Sequence, residues 1–210
     1  MIRPLRLADA NGKAARLRRE GDVSRLVEML QCEAAEDRME AAAALGRLRT
    51  PTQSHDVLMH LAHNDVHPKV RREAVRALGA AKEPEKLCPV LADCLDDENR
   101  DVRLYAAEAL GRLRCRDAVP QLAERLDDAD ALTRRYASGA LAKMRHRSAI
   151  PALLRAAADQ DKSVFNDGVR GLRAVIDERD LDDLQVLIAR AGFVRGRKLR
   201  RLQSMVRELS

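Results

Sequence analysis

Two sets of side chains in this sequence stand at spacings that suggest chemistry. The first is histidine. His60 and His63 lie three residues apart, with Asp65 and His67 close behind. Residues three or four apart share a helix face, and imidazole and carboxylate are ordinary zinc ligands. The plainer alternative is a pair of polar side chains running into a loop. That reading is adopted, so no metal ligands, catalytic residues or cofactors are assigned. No glycine-rich phosphate loop and no Ser/His/Asp arrangement is present.

The second set is basic. Arg38, Arg71, Arg103 and Arg134 recur at steps of 31–33 residues; the next position is Phe165 and the one after it Arg195. A guanidinium presents a planar fork that fits carboxylate or phosphate. The column is therefore either an anion-binding ladder or a series of internal bridges to Asp65, Asp97, Asp128 and Asp159. The internal reading is preferred, and Phe165 should leave its unit to apolar packing. A further group comprises Arg47, Arg49, Lys82, Arg112, Arg114, Arg116, Lys143, Arg145, Arg147 and Arg173. It reads as complement to negative helix C-termini or as a docking edge for an acidic protein or a phosphate backbone.

The elements that would position these residues repeat. Anchor leucines stand at Leu45, Leu78, Leu110, Leu141, Leu172 and Leu202, at steps of 30–33 residues. Such periodicity marks a repeat architecture. Each unit predicts two amphipathic helices. In the third, Val102, Ala106, Ala109, Leu110 and Leu113 make an apolar stripe. A turn over 114–117 follows, and Ala118-Val119-Pro120 opens a second helix with proline in its first turn. Ala149-Ile150-Pro151 repeats that start, and Leu87-Cys88-Pro89 is its counterpart in the second unit. Asp127, Asp128 and Asp130 can cap the helix after them. Gly46, Gly79 and Gly111 directly follow their anchors, which predicts close approach of a neighbouring helix.

Composition agrees. Of 210 residues, 46% are hydrophobic, 34% charged and only 2% aromatic. That suits a folded helical chain and disfavours a sandwich or barrel. The predicted fold is all-α: an α-solenoid of stacked antiparallel helix pairs, about five full units plus terminal capping helices. It would form one domain over 1–210, with an N-terminal cap region at 1–33, repeats at 34–189 and a basic capping helix at 190–210.

The stretches 101–113 (DVRLYAAEALGRL) and 118–122 (AVPQL) resemble HEAT-like repeats of the phycobilisome-lyase type, and the likeness covers about residues 22–206. The resemblance implies a curved right-handed solenoid with an Asp–Arg ladder between units and second helices lining the concave face. On that placement the groove residues are His55, Met59, Asp93, Gln121, Arg125, Arg155, Asp183 and Gln185. Some relatives attach or detach bilins, but the repeat alone does not carry that chemistry. HEAT-repeat hydroxylases use adjacent His-Glu pairs; here Asp56, Leu61, Asn64, Pro68 and Arg147 follow the histidines. HEAT-like DNA glycosylases use several aromatics; here Tyr105 and Tyr136 occupy equivalent columns and read as packing residues.

The net charge is +6, and the segment 190–210 holds seven basic residues against Glu208. The rest of the chain is balanced. Three functional expectations result. The first is a non-catalytic adaptor or scaffold that binds a protein partner, including an acidic one, through the solenoid surface. The second is nucleic-acid binding through Arg112, Arg114, Arg116, Lys143, Arg145, Arg147, Arg195, Arg197, Lys198, Arg200 and Arg201. The third is a bilin-lyase-like or other tetrapyrrole-handling enzyme. No apolar run has signal-peptide or transmembrane length. A cytoplasmic chain is expected, with Cys32, Cys88, Cys94 and Cys115 as reduced, buried thiols.

Overall fold

The computed structural model describes residues 7–176 and Ser204. The expected groove residues Asp183 and Gln185 lie outside the described residues. So do the basic residues Arg195, Arg197, Lys198, Arg200 and Arg201 and the capping helix expected over 190–210.

Eleven α-helices and no strand occur among the described residues. They fall into two compact units, residues 1–113 and 114–210. The first unit holds α1 (Leu7–Glu20), α2 (Val23–Met29), α3 (Ala35–Arg47), α4 (His55–Asn64), α5 (Pro68–Leu78), α6 (Pro84–Asp93) and α7 (Arg100–Leu113). The second holds α8 (Val119–Glu124), α9 (Ala131–Met144), α10 (Ile150–Ala156) and α11 (Lys162–Val175). The all-α solenoid read from the repeat is the fold observed.

In the first unit α1, α3, α5 and α7 pack successively side by side, and α2, α4 and α6 form a second row against them. The rows meet through the predicted stripes. Ala41, Leu45, Val70, Ala74, Leu78, Val102, Ala106 and Leu110 come from the first row and Leu58, Leu87 and Leu91 from the second, all buried. Burial of such side chains, at about 25 cal/mol per Å² of apolar surface, is what holds each layer to the next. Gly46 and Gly79, each directly after its anchor, have the predicted use. A Cβ on Gly79 would stand 2.7 Å from the Ala109 Cβ, and one on Gly46 3.1 Å from the Ala77 Cα. The second unit repeats the plan: α9 and α11 lie side by side, α8 packs on α9, and α10 packs on α9 and α11.

The helix starts follow local chemistry. Pro120 and Pro151 sit in the first turns of α8 and α10, as expected. The Asp130 carboxylate accepts the Thr133 N–H to cap α9, and Asp161 caps α11 through Ser163 and Val164. The second unit of the repeat departs from its predicted form. Its second helix starts at Pro84, leaving Pro89 inside α6. Pro84 takes the position where a missing N–H is harmless, so Pro89 is a tolerated interior proline rather than the helix start.

The cysteines also depart from expectation. Cys88 and Cys115 are each disulfide-bonded rather than reduced, whereas Cys32 and Cys94 are free thiols. No CxxC-like spacing announces that state for either residue.

Candidate functional site

Three arginines of the column, Arg38, Arg71 and Arg134, are paired internally. Arg38 Nε donates to Asp65 Oδ2 at 2.7 Å and Nη2 to Oδ1 at 3.0 Å. Its Nη1 donates to the Cys32 and Glu33 carbonyls. Arg71 forks onto Asp97 at 2.7 and 2.9 Å, and Arg134 onto Asp159 at 2.8 and 3.3 Å. In each aspartate Oδ1 also accepts a backbone N–H two residues on, from His67, Asn99 and Asp161. One carboxylate thus bridges two repeats and turns its own loop. Burial opposes ionisation of Asp65 most strongly, but the Arg38 fork and the His67 amide outweigh it, so its pKa lies below the ordinary value. Arg103 differs: its Nη1 serves the Asp97 and Glu98 carbonyls, and its buried Nε has no hydrogen-bond partner among the described residues. Phe165, where the column lacks arginine, is buried.

The histidines are not gathered into a site. His60 hydrogen-bonds the Asn64 side chain at 3.2 Å. No group of His, Cys, Asp or Glu among the described residues is arranged to hold a metal. His55, expected in the groove, is instead only 4% exposed, with its ring nitrogen 3.2 Å from the Thr50 carbonyl. It sits at the first residue of α4, where the turn after α3 folds over it, and it is a core histidine. The other described groove residues are accessible: Asp93, Gln121 and Arg155 are exposed, and Met59 and Arg125 half-buried. Tyr105 and Tyr136 are half-buried in the first-row helices.

The second basic set is on the surface. In the first unit Arg47, Arg49, Lys82 and Arg112 are exposed, and Arg112 pairs with Glu108 at 2.7 Å. In the second unit Arg114, Arg116, Lys143, Arg145, Arg147 and Arg173 are exposed. Arg114, Arg116, Lys143 and Arg145 make no ion pair among the described residues. The structure adds a feature that sequence reading missed. Arg49, Arg114 and Arg145, each four residues after its anchor leucine, adopt left-handed backbone conformations with φ of 62°, 57° and 48°. That conformation closes a helix and normally takes glycine; a branched-at-Cβ or long side chain there costs about 1 kcal/mol or more. The visible signal was a recurring arginine where a helix must stop without glycine.

Within the second unit, α8 and α10 enclose an open groove of about 590 Å³. Its floor is small and apolar, from Val119, Pro120, Ala123, Pro151 and Ala152, and its mouth holds Arg116, Asp117, His146 and Ser148. His146 Nδ1 is 2.8 Å from the Ser148 hydroxyl. At the other end Arg155 is tied to Asp127. A second concavity of about 530 Å³ continues from Arg155 past Asp127, Asp128 and Asp159. Pro120 and Pro151 in the first turns of the two helices, with Ala123 and Ala152 beside them, leave the floor without protruding side chains.

Comparison with known proteins fits this geometry. A HEAT-repeat family profile matches residues 23–101, 88–173 and 119–197. The chain belongs to the HEAT-repeat family. A curated relative, the phycocyanobilin lyase subunit alpha of Synechococcus elongatus, is 37% identical over 91 residues, which is 40% of this chain and 33% of the relative. The chain thus spans about a third of that lyase subunit. Among solved structures, an engineered protein matches with TM-score 0.66 at 19% identity, covering 89% of this chain and 95% of its own. A designed armadillo repeat protein in complex with the peptide (KR)4 matches with TM-score 0.61 at 20% identity, covering 79% and 87%. Kap121p matches with TM-score 0.61 at 16% identity, over 87% of this chain and 22% of its own. These likenesses concern the fold. No helix among the described residues is long and apolar enough to cross a membrane.

Proposed function

We propose that this HEAT-repeat chain is a non-catalytic adaptor that binds a protein partner across its second helices. The observation that carries the reading is the open groove between α8 and α10. It has a smooth apolar floor and polar ends, and exposed Gln121 and Arg155 lie on the same two helices. Repeats of this kind offer many modest contacts along a rigid surface, which suits an extended or helical segment. The designed armadillo relative holds a peptide of lysine and arginine, which supports peptide binding by the fold in general. Within the second unit, half-buried Arg125 follows α8 directly.

Nucleic-acid binding is the second reading. It is favoured by the exposed cations Arg114, Arg116, Lys143 and Arg145, which lack acidic partners. A lyase-like activity has less support, since the match to the lyase subunit covers only 33% of that protein.

Affinity capture compared across variants tests the proposal. Wild type should retain one protein in stoichiometric amount. Gln121→Glu combined with Arg155→Glu should lose it, and the first-row control Arg135→Glu should keep it. Retention of nucleic acid alone, or equal capture by all three chains, would count against the adaptor.

A further inference from the structure

Resting on that adaptor reading, we infer that the α8–α10 groove accepts an extended protein segment that is acidic at one end and small and apolar along the rest. The charge at the two ends of the groove decides the polarity. At the far end the acids are already engaged: Asp127 with Arg155, and Asp159 with Arg134. Asp128 accepts the Asp130 N–H. At the mouth cations outnumber acids once the flanking turns are counted. Arg116 lines the groove beside a single acid, Asp117. The turn that carries His146 and Ser148 also carries Arg145, and Arg114 precedes Arg116 in the other turn; neither Arg114, Arg116 nor Arg145 has an ion-pair partner among the described residues. Both Arg114 and Arg145 hold left-handed backbone conformations. Glycine would occupy those positions without strain, and strain retained at a recurring position points to a use for the side chain.

The floor then selects the class of partner. Val119, Pro120, Ala123, Pro151 and Ala152 offer shape and apolar area but no aromatic face. Single-stranded nucleic acid binds through stacking platforms and a basic track that follows its backbone. Beyond the mouth the cations Arg155 and Arg134 are already paired with Asp127 and Asp159, so a phosphate chain continuing along the helices would meet no uncommitted basic track. A peptide needs the cations only where its carboxylates lie, and can rest its apolar residues on the floor. The groove volume of about 590 Å³ falls in the ordinary range for bound ligands.

The test uses the full chain and fluorescein-labelled octapeptides with four Asp or Glu residues next to four Ala or Val residues, made in both orders. Charge-swapped Lys/Arg counterparts and oligo-dT serve as comparisons. Fluorescence anisotropy should show saturable binding of at least one acidic peptide, weakening as salt is added. The pair Arg116→Glu with Arg145→Glu should weaken it at least about tenfold. Ala123→Phe, which fills the floor, should do the same while the circular-dichroism melt stays unchanged. Preference for the basic peptides or for oligo-dT, or acidic-peptide binding indifferent to both variants, overturns the inference. If basic peptides bind and Ala123→Phe abolishes that binding, the adaptor reading stands and only the acidic specificity falls. If no peptide binds and the capture experiment also finds no partner, the adaptor reading fails with it.

Discussion

Single side chains in this molecule do two jobs at once. Asp65 accepts the Arg38 fork and the His67 amide while only 3% of its side chain is exposed. Removing one partner of a buried pair strands the other charge, at a cost of about 3–5 kcal/mol. Asp65→Ala should therefore lower unfolding free energy by that order in urea denaturation, and a loss below about 1 kcal/mol would show that the pair is not buried in solution. The folded-state pKa of Asp65 is depressed. Its stabilisation is complete above the unfolded value and disappears as pH falls through the folded one. Wild type should lose stability on acidification more steeply than Asp65→Asn. Glu40 has the opposite sign. Burial first, and then Asp37, raise its pKa, and its buried Oε2 has no partner among the described residues. Its contribution is present below the unfolded value and lost as pH rises, so Glu40→Gln should keep or raise the melting temperature at neutral pH. A fall of several degrees would contradict this. Burial likewise pushes the Cys94 thiol up to about 12, so iodoacetamide should label half-buried Cys32 well before Cys94 in the native chain. The ladder was legible because arginine and aspartate recur at fixed distances from the anchors. The left-handed arginines were not, because local propensity would put glycine there.

At the scale of helices, close contact between layers is the controlling quantity. Gly79 stands where a Cβ would press on Ala109 at 2.7 Å. Gly79→Ala should force α5 and α7 apart and cost about 1–3 kcal/mol, as overpacking does; a thermal melt unchanged from wild type would mean that the layers yield freely. Leu110 is fully buried in α7, and Leu110→Ala should cost roughly 2–5 kcal/mol through the cavity it leaves. The anchors, the apolar stripes and most helix starts could be read from spacing because each repeat states the same pattern again. The start of α6 could not: Pro84 and Pro89 both satisfy the local rule, and only packing against α4 and α7 chooses between them. His55 shows the same limit. Its place at the head of a second helix suggested the open surface, yet the left-handed turn through Arg49 and Thr50 folds back and takes its ring into the interior.

At the scale of the molecule, the family and its layered helix pairs follow from the repeat period, whereas the partner does not. Period and apolar pattern are constraints every repeat must meet to bury its neighbour's face. Binding specificity depends on a few exposed side chains, whose meaning changes with the turn that carries them. The whole-chain excess of +6 equals that of residues 190–210, and it poorly described the described surface, where uncompensated cations gather at Arg114, Arg116, Lys143 and Arg145. The most direct test of the account is site-specific photocrosslinking in cells. A photoreactive residue is placed singly at Gln121 and Arg155 on the second-unit helices α8 and α10, and at Arg135 and Arg170 on α9 and α11. The account predicts one shared protein adduct from the second-helix positions and none from Arg135 or Arg170. Adducts of equal strength from both rows, or adducts to nucleic acid alone, would contradict it.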